Sequence, residues 1–106
     1  MKEVLAIIRP NKVKETKKAL LEAGIPGYTG RQVRGKGKEA VTVILPDDSI
    51  MKTNLMHKRE ILLIVEDCNV DKVVKVIMDV NSTNNQGDGK IFVSPVLRTY
   101  TISEGK

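Results

Sequence analysis

The sequence has very little of the chemistry that most catalytic and metal sites require. Its 106 residues include one cysteine, Cys68, one histidine, His57, and no tryptophan. A single cysteine cannot form an internal disulfide, and one histidine with one cysteine cannot complete a zinc site. No Ser/His/Asp or Cys/His set is present for nucleophilic catalysis. We therefore expect Cys68 to be buried or inert, and His57 to be exposed.

Long apolar runs are also missing. Hydrophobic residues make up 41% of the chain, but no run approaches the roughly 20 residues needed to cross a bilayer. The first residues pass directly into the strand-like VLAIIRP, without the pattern of a cleaved leader. At this length we expect one domain over residues 1–106, located in the cytoplasm and without a membrane partner.

Acidic residues are scarce in the first third of the chain. Residues 1–38 contain ten Lys/Arg and three acids, whereas residues 39–106 contain eight and ten, and the net charge is +5. A basic segment of this kind indicates an anionic partner, either nucleic acid or small anions such as phosphates and carboxylates.

Two similar units follow one another in the sequence. In the first, a strand over Val4–Arg9 leads through Pro10 into a helix from Lys12 to Ala23, with Asn11 as its N-cap and Gly24 as its C-cap, and then into a strand over residues 27–33. In the second, the strand LLIVED precedes a helix capped by Asn69, and the strand KIFVSPV closes the unit. The helical stripes are Val13, Thr16, Leu20 and Ala23 in the first helix, and Val73, Val74, Ile77 and Val80 in the second.

Tandem strand–helix–strand units predict an α+β, ferredoxin-like double βαβ fold. It would have a four-stranded antiparallel sheet with both helices on one face. Residues 62–65 are apolar on both faces of their strand, so the uncovered face needs a second layer or a partner chain. Residues 35–58, between the units, lack a clean period and are predicted to be a long, mobile effector loop, although AVTVIL could extend the second strand into an arm.

Three separate features are predicted to converge on one site. They are Gly35-Lys36-Gly37-Lys38, Lys58, and Gly87-Asp88-Gly89-Lys90. Glycines let backbone N–H groups approach an anion, and lysines add charge beside them. Neither glycine motif matches a Walker A loop or a dinucleotide fingerprint, and GDGK taken alone favours a helix-terminating turn over a ligand loop.

Two other classes of function compete with a small-anion site. Ferredoxin-like RNA-binding modules stack bases on sheet aromatics, but the aromatics here are only Tyr28, Phe92 and Tyr100. A basic RNA-binding module is therefore the second hypothesis. The third, a small hydrolase acting on phosphorylated substrates, lacks a recognisable catalytic set.

Over nearly its whole length the chain resembles the PII signal-transduction proteins. The resemblance rests on VLAIIRP, VRGKGK, Lys58 and especially GDGKIFV. The stretches KEVLAIIRPNK, IPGYTG and VNSTNNQGDGKIFVSPV are most similar to the nif-linked branch of archaea and anaerobes. The resemblance implies a non-enzymatic regulator that forms a homotrimer, or a hetero-oligomer with a paralogous PII chain, and binds no nucleic acid. Its intersubunit clefts would bind ATP or ADP and, with Mg, 2-oxoglutarate, and its loop would control a target, here nitrogenase.

The resemblance also implies roles for individual residues. The nucleotide phosphates would be held by Gly35, Lys36, Gly37, Lys38, Gly87, Asp88, Gly89, Lys90 and Arg98. Adenine and ribose would be bordered by Ile7, Thr29 and Ile64. The ligands of 2-oxoglutarate would be Arg9, Gly37, Glu39 and Lys58, with Glu39 also on Mg. The partner-binding tip of the loop would contain Met51, Leu55 and Met56.

Several positions depart from the family pattern. Glu39 replaces a glutamine, which suits Mg but repels the carboxylates of 2-oxoglutarate. Thr101 and Ser103 replace two phosphate-binding arginines, so Arg98 is the remaining guanidinium, and ADP or AMP should compete better with ATP. Met51 stands where enteric members have a uridylylated tyrosine, which excludes that modification and indicates an apolar, adaptable docking tip.

Overall fold

The predicted α+β, ferredoxin-like architecture is confirmed. A computed structural model describes residues 1–44, 50–85 and 87–106, with no side-chain description for residues 36–44 and 50–55. Its elements are β1 (Lys2–Ile8), α1 (Val13–Glu22), β2 (Thr29–Ile44), β3 (Ile50–Val65), α2 (Val70–Asn81) and β4 (Gly89–Pro95). The strands form one antiparallel sheet in the order β2-β3-β1-β4.

The core lies between the two helices and one face of the sheet. Alternate residues of the central strands point into it, as the two-residue period of a strand requires. Thr16, Val73 and Ile77 from the predicted helical stripes are fully buried. The apolar core residues are Val4, Ala6, Ile8, Val13, Leu20, Ile25, Ile61, Leu63, Val65, Val73 and Ile77.

The helix ends were predicted well for the C-terminus of α1 and less well for the helix N-termini. At the end of α1, Gly24 has φ of +82°, and the N–H groups of Gly24 and Ile25 donate to the carbonyls of Leu21 and Leu20. This is a Schellman motif, and it confirms Gly24 as the C-cap. The predicted N-cap of α1 at Asn11 is wrong, whereas Asn69 is the N-cap residue of α2 as predicted. A 3-10 turn (Pro10–Lys12) places Lys12 at the cap of α1, and Asn69 makes no side-chain capping bond because its backbone is already helical.

The long segment between the two units is paired strand over much of its length, not loop. β2 pairs with β3 from Thr29↔Leu62 to Lys36↔Leu55, and again from Val41↔Thr53 to Ile44↔Ile50 after an irregularity. The loop boundaries 35–58 therefore fall inside strands, and the strand extension by AVTVIL is confirmed for residues 41–44. The strand structure of this segment comes from pairing with β3. The Gly-Lys repeat lacks the alternation of apolar and polar residues by which a strand is recognised in a sequence. Residues 45–49 lie outside the described part of the chain, and the mobility of the segment stays a prediction.

The other face of the sheet, called here the helix-free face, is covered by no helix of the described chain and is partly apolar. Ile64 and Phe92 are 50% and 51% exposed there, and register places both on the side away from the core. This agrees with the expectation that both faces of the strand at residues 62–65 are apolar.

Two single-residue expectations concern the exposed surface. His57 is exposed as predicted. Cys68 was predicted to be buried or inert; it is exposed, so burial is wrong and inertness stays a prediction. Cys68 lies in the short 3-10 turn Asp67–Asn69, which connects β3 to α2 at the surface. Among the described residues, no helix is long and apolar enough to cross a membrane.

Candidate anion-binding site

The turn that enters β4 depends on two glycines in the left-handed region. Gly87 has φ of +88° and Gly89 has φ of +118°, which side chains rarely tolerate. A Cβ on Gly89 would lie 1.9 Å from the carbonyl oxygen of Ile7, so the turn must approach β1 with bare backbone. A Cβ on Gly87 would lie 3.3 Å from Nη2 of Arg9. The GDGK sequence is therefore a chain-turning element that also brings backbone against cations.

Two cations from different elements meet at the carbonyl of Gly87. Lys58 Nζ on β3 donates to this oxygen at 2.6 Å, and Arg9 Nε, just after β1, donates to it at 3.0 Å. Burial, followed by repulsion from the Arg9 guanidinium, holds the pKa of Lys58 below 10.5, and attraction from Asp88 opposes this in part. An anion placed beside the two cations would offset that repulsion.

The carboxylate of Asp88 is held by several donors. The backbone N–H of Thr83 donates to Oδ2 at 2.7 Å, its hydroxyl donates to Oδ1, and Arg9 Nη1 lies 3.5 Å from Oδ1. The hydroxyl and then the backbone N–H of Thr83 are the main causes of a pKa below 3.8 for Asp88. Asp88 is therefore ionised at neutral pH, and its oxygens contact Thr83 and Arg9.

A cavity of about 320 Å³ opens beside these groups on the helix-free face. Its volume lies at the lower end of the range for small-molecule sites. Strands β1 to β4 all contribute to its lining, which consists of Ile7, Gly35, Met56, Lys58, Gly87, Gly89, Lys90 and Phe92. Apolar walls next to lysines suit a ligand with a flat apolar part and an anionic tail.

The structure brings many of the predicted site residues into this one place. Ile7, Gly35, Lys58, Gly87, Gly89 and Lys90 line the cavity, and Arg9 and Asp88 contact the same turn. Met56, predicted at the tip of the loop, lies in the cavity wall opposite Gly35.

Other predicted site residues lie elsewhere. Thr29 lines a second depression on the same face, beside Leu5 and Leu62. Ile64 is exposed on that face, opposite Glu3, and Arg98 is exposed on the segment that follows β4. The side chains of Lys36, Lys38, Glu39, Met51 and Leu55 lie outside what the structure describes, and Gly37 is described only as part of β2.

Two residues of the site were missed from the sequence. Phe92 could have been found, because the strand alternation after GDGK puts it on the same face as Lys90. Thr83 gives only a weak signal, a hydroxyl residue five positions before the acid of the turn. Its partner becomes apparent only once the chain has turned.

The fold and the site define a small ferredoxin-like protein with a cation-lined cleft, and comparison with known proteins gives its family. The profile of the family described as nitrogen regulatory protein P-II matches residues 1–106. The chain is 43% identical to the nitrogen fixation nifHD region GlnB-like protein 2 of Methanothermobacter marburgensis, over 99% of this chain and 94% of that protein.

Further relatives are also nitrogen regulatory P-II proteins. The chain is 40% identical to nitrogen regulatory protein P-II 2 of Methanothermobacter thermautotrophicus, over 100% of this chain and 92% of that protein. It is 42% identical to nitrogen regulatory protein P-II of Microchaete diplosiphon, over 100% and 95%. The chain belongs to the P-II family of nitrogen regulatory proteins, and its similarity to a nif-region protein of a methanogen agrees with the branch suggested by the sequence.

Proposed function

We propose that this protein is a non-enzymatic regulator whose cleft binds ATP or ADP and passes the occupancy of the cleft to a target enzyme. The observation that carries the proposal is the meeting of Lys58 and Arg9 on the Gly87 carbonyl, at the edge of a cavity that also contains Lys90. These cations come from three separate parts of the chain. A turn that served only to connect α2 to β4 would not need them.

The cavity suits the two halves of a nucleotide. Ile7 and Phe92 offer apolar surface for the base, and Lys58, Lys90 and Arg9 offer charge-assisted hydrogen bonds to phosphate oxygens. A phosphate oxygen would replace the Gly87 carbonyl as the acceptor for Lys58. The backbone of the Gly87–Gly89 turn would lie against the phosphates, because neither glycine has a side chain in the way.

An oligomer would complete the cleft. The apolar helix-free face carries Ile64 and Phe92, and we propose that it is covered in a homotrimer or in a hetero-oligomer with a paralogous chain. Thr29 and Ile64 of a neighbouring protomer would then border adenine. In each cleft Arg98 would be the remaining C-terminal guanidinium for phosphate.

The proposal includes 2-oxoglutarate and Mg as further ligands. Arg9 and Lys58 are close enough to share one carboxylate, since both donate to the same oxygen. Glu39 would ligate Mg, at the cost of repelling 2-oxoglutarate. We therefore expect weaker binding of 2-oxoglutarate than of nucleotide.

The target is proposed to be nitrogenase, because relatives carry names that refer to nitrogen-fixation regions. The hairpin formed by β2 and β3 starts at the cleft, where Gly35 and Met56 line the cavity. Ligand in the cleft would change the population of hairpin conformations, and Met51 and Leu55 would contact the target.

Calorimetric titration of the purified oligomer with ATP, ADP and 2-oxoglutarate, each with and without Mg, tests the proposal. We expect adenine nucleotides to bind, and Lys90→Ala to weaken binding by about tenfold through loss of a charge-assisted contact. Lys72→Ala, on the exposed side of α2, is the matched control and should bind like wild type.

Three outcomes would contradict the proposal. They are no binding of any adenine nucleotide, turnover of ATP at an ordinary enzymatic rate, and RNA affinity that falls steeply with salt yet survives Lys90→Ala. The last result would favour an RNA-binding module, because its phosphate attraction is distributed over many cations.

A further inference from the structure

The turn that lines the cleft is held from outside the cleft by Thr83. Thr83 is not among the residues lining the 320 Å³ cavity. Its backbone N–H and its hydroxyl each donate to a different oxygen of Asp88. Two donors on two oxygens fix both the position and the rotation of a carboxylate. Thr83 is therefore hydrogen-bonded twice to the turn residue Asp88, just before β4 begins.

The clamped carboxylate in turn faces Arg9. Arg9 Nη1 lies 3.5 Å from Asp88 Oδ1, the same oxygen that receives the Thr83 hydroxyl. Arg9 Nε meanwhile donates to the Gly87 carbonyl at 3.0 Å. The guanidinium therefore has one contact to the backbone of the turn and another to its side chain. Holding Asp88 in place therefore helps to hold the guanidinium.

We propose that Thr83 and Asp88 are positioning residues of the anion site, which hold Arg9 and the Gly87–Gly89 turn in the geometry that receives a phosphate. This inference rests on the proposed nucleotide binding. It also changes the role expected for Asp88. A carboxylate beside phosphates would repel them, so Asp88 contributes through Arg9 and not as a phosphate ligand. The low pKa of Asp88 agrees with a carboxylate that stays charged for this purpose.

Asp88→Asn separates this role from simple charge repulsion. Removing a negative charge next to a polyanion should strengthen binding if Coulomb repulsion were the main effect. The positioning role predicts the opposite sign, because Arg9 loses its ionic contact with residue 88 and the turn loses one of the two hydrogen bonds from Thr83. We expect nucleotide binding by Asp88→Asn to be about tenfold weaker than wild type.

Two substitutions at Thr83 form a matched pair. Thr83→Val keeps the shape and the backbone N–H but lacks the hydroxyl, and we expect its nucleotide affinity to fall by roughly three- to tenfold. Thr83→Ser restores the hydroxyl and should bind within about twofold of wild type. Titration of the Asp88 carboxyl by NMR should give a higher pKa in Thr83→Val than in wild type or Thr83→Ser.

A buried hydroxyl elsewhere controls for general loss of stability. Thr16→Val removes a buried hydroxyl that bridges the helices and makes no contact with Asp88 or Arg9 among the hydrogen bonds described, so it should lower the unfolding midpoint without changing nucleotide affinity. Binding by Thr83→Val equal to that of Thr83→Ser, or tighter binding by Asp88→Asn, would overturn the inference alone. A wild-type oligomer that binds no nucleotide would overturn the proposed function and, with it, the positioning role.

Discussion

At the scale of single residues, the clearest dependence is that of the turn on Gly89. Substitution by alanine would force a side chain into φ of +118° and place its Cβ 1.9 Å from the carbonyl oxygen of Ile7. Relief would require β4 to move away from β1 at their first pair, Ile8↔Gly89. We expect Gly89→Ala to lower the free energy of unfolding by about 2 kcal/mol or more, measured by urea denaturation.

Gly27→Ala is the control for this substitution. An added Cβ at Gly27 would have no atom within 4 Å, and Gly27 does not have a positive φ. Gly27→Ala should change the free energy of unfolding by no more than about 0.5 kcal/mol. Equal stabilities of the two variants would show that the turn does not need a glycine at residue 89.

The lowered pKa of Lys58 gives a second prediction at this scale. Because the pKa is below 10.5 in the folded protein, the unfolded chain holds more protons between the folded value and 10.5, and the free energy of unfolding rises with pH there. A bound anion raises the pKa of Lys58 by favouring its charged form. Nucleotide affinity should therefore decrease as pH rises through the folded-state pKa, with proton uptake on binding.

Calorimetry in buffers of different ionisation enthalpy measures that proton uptake. Lys58→Arg stays charged throughout this range and should show less uptake and a flatter dependence of affinity on pH. Proton uptake equal in wild type and Lys58→Arg would contradict the assignment to Lys58.

Sequence patterns identified the cations and glycines of the site better than the residue that holds the turn in place, Thr83. Gly87, Gly89 and Lys90 are adjacent in sequence and form a recognisable motif, and they all line the cavity. Thr83 acts through one hydrogen-bond pattern that exists only after the turn has formed. Local sequence specifies residue types, whereas donor and acceptor pairs across a turn depend on its geometry.

At the scale of secondary-structure elements, a buried polar pair connects the two helices. Asn81 Nδ2 on α2 donates to Thr16 Oγ1 on α1 at 3.0 Å, and the Thr16 hydroxyl donates to the Lys12 carbonyl. Thr16 is fully buried and Asn81 is 6% exposed. Asn81 Oδ1 has no hydrogen-bond partner among the described residues. The pair therefore joins α1 to α2 inside the core.

A double-mutant cycle of Thr16→Val and Asn81→Leu tests this connection. We expect Thr16→Val to cost about 1–3 kcal/mol, because it leaves the Asn81 amide with one protein acceptor fewer. Asn81→Leu should cost less, since it also removes the unpaired Oδ1. The double variant should be more stable than the sum of the single effects by about 1 kcal/mol, measured from denaturant midpoints.

The exposed pair Lys75 and Asp79 on α2 provides the comparison. Their atoms are also 3.0 Å apart, but screening by water should limit their coupling to about 0.5 kcal/mol. Equal coupling energies in the two cycles would show that burial does not strengthen the Thr16–Asn81 contact.

Helices and strands were predicted best where apolar residues recur with a clear period within the segment itself. The buried stripe of α1 and the C-cap at Gly24 follow from helical spacing and glycine chemistry. The segment after residue 34 has glycines and lysines in alternation, which favours loop. Its strand structure comes from pairing with residues 50–58, and a local period cannot show a distant partner.

At the scale of the whole molecule, the helix-free face is the surface that we propose to be covered in an oligomer. Ile64→Glu would place a charge at a position that is 50% exposed in the single chain and buried in the proposed trimer. An unpaired buried charge is strongly destabilising, by several kcal/mol. We therefore expect Ile64→Glu to shift the oligomer to monomer, measured by size-exclusion chromatography with light scattering.

Leu21→Glu is the matched surface substitution. Leu21 is 65% exposed but lies on α1, away from the helix-free face. Its oligomer should keep the wild-type mass. An unchanged mass for Ile64→Glu as well would mean that this face does not hold the protomers together.

The sequence by itself determined the order of elements, the antiparallel double βαβ fold and the glycine and lysine content of the site. These follow from local periods, turn residues and charge, which are properties of neighbouring positions. Only the tertiary structure decided that Lys58 and Arg9 donate to one carbonyl, that Thr83 holds Asp88, and that residues 35–39 continue a strand. Each of these depends on groups that are distant in sequence or joined by a turn, and their contacts form only when the chain has folded.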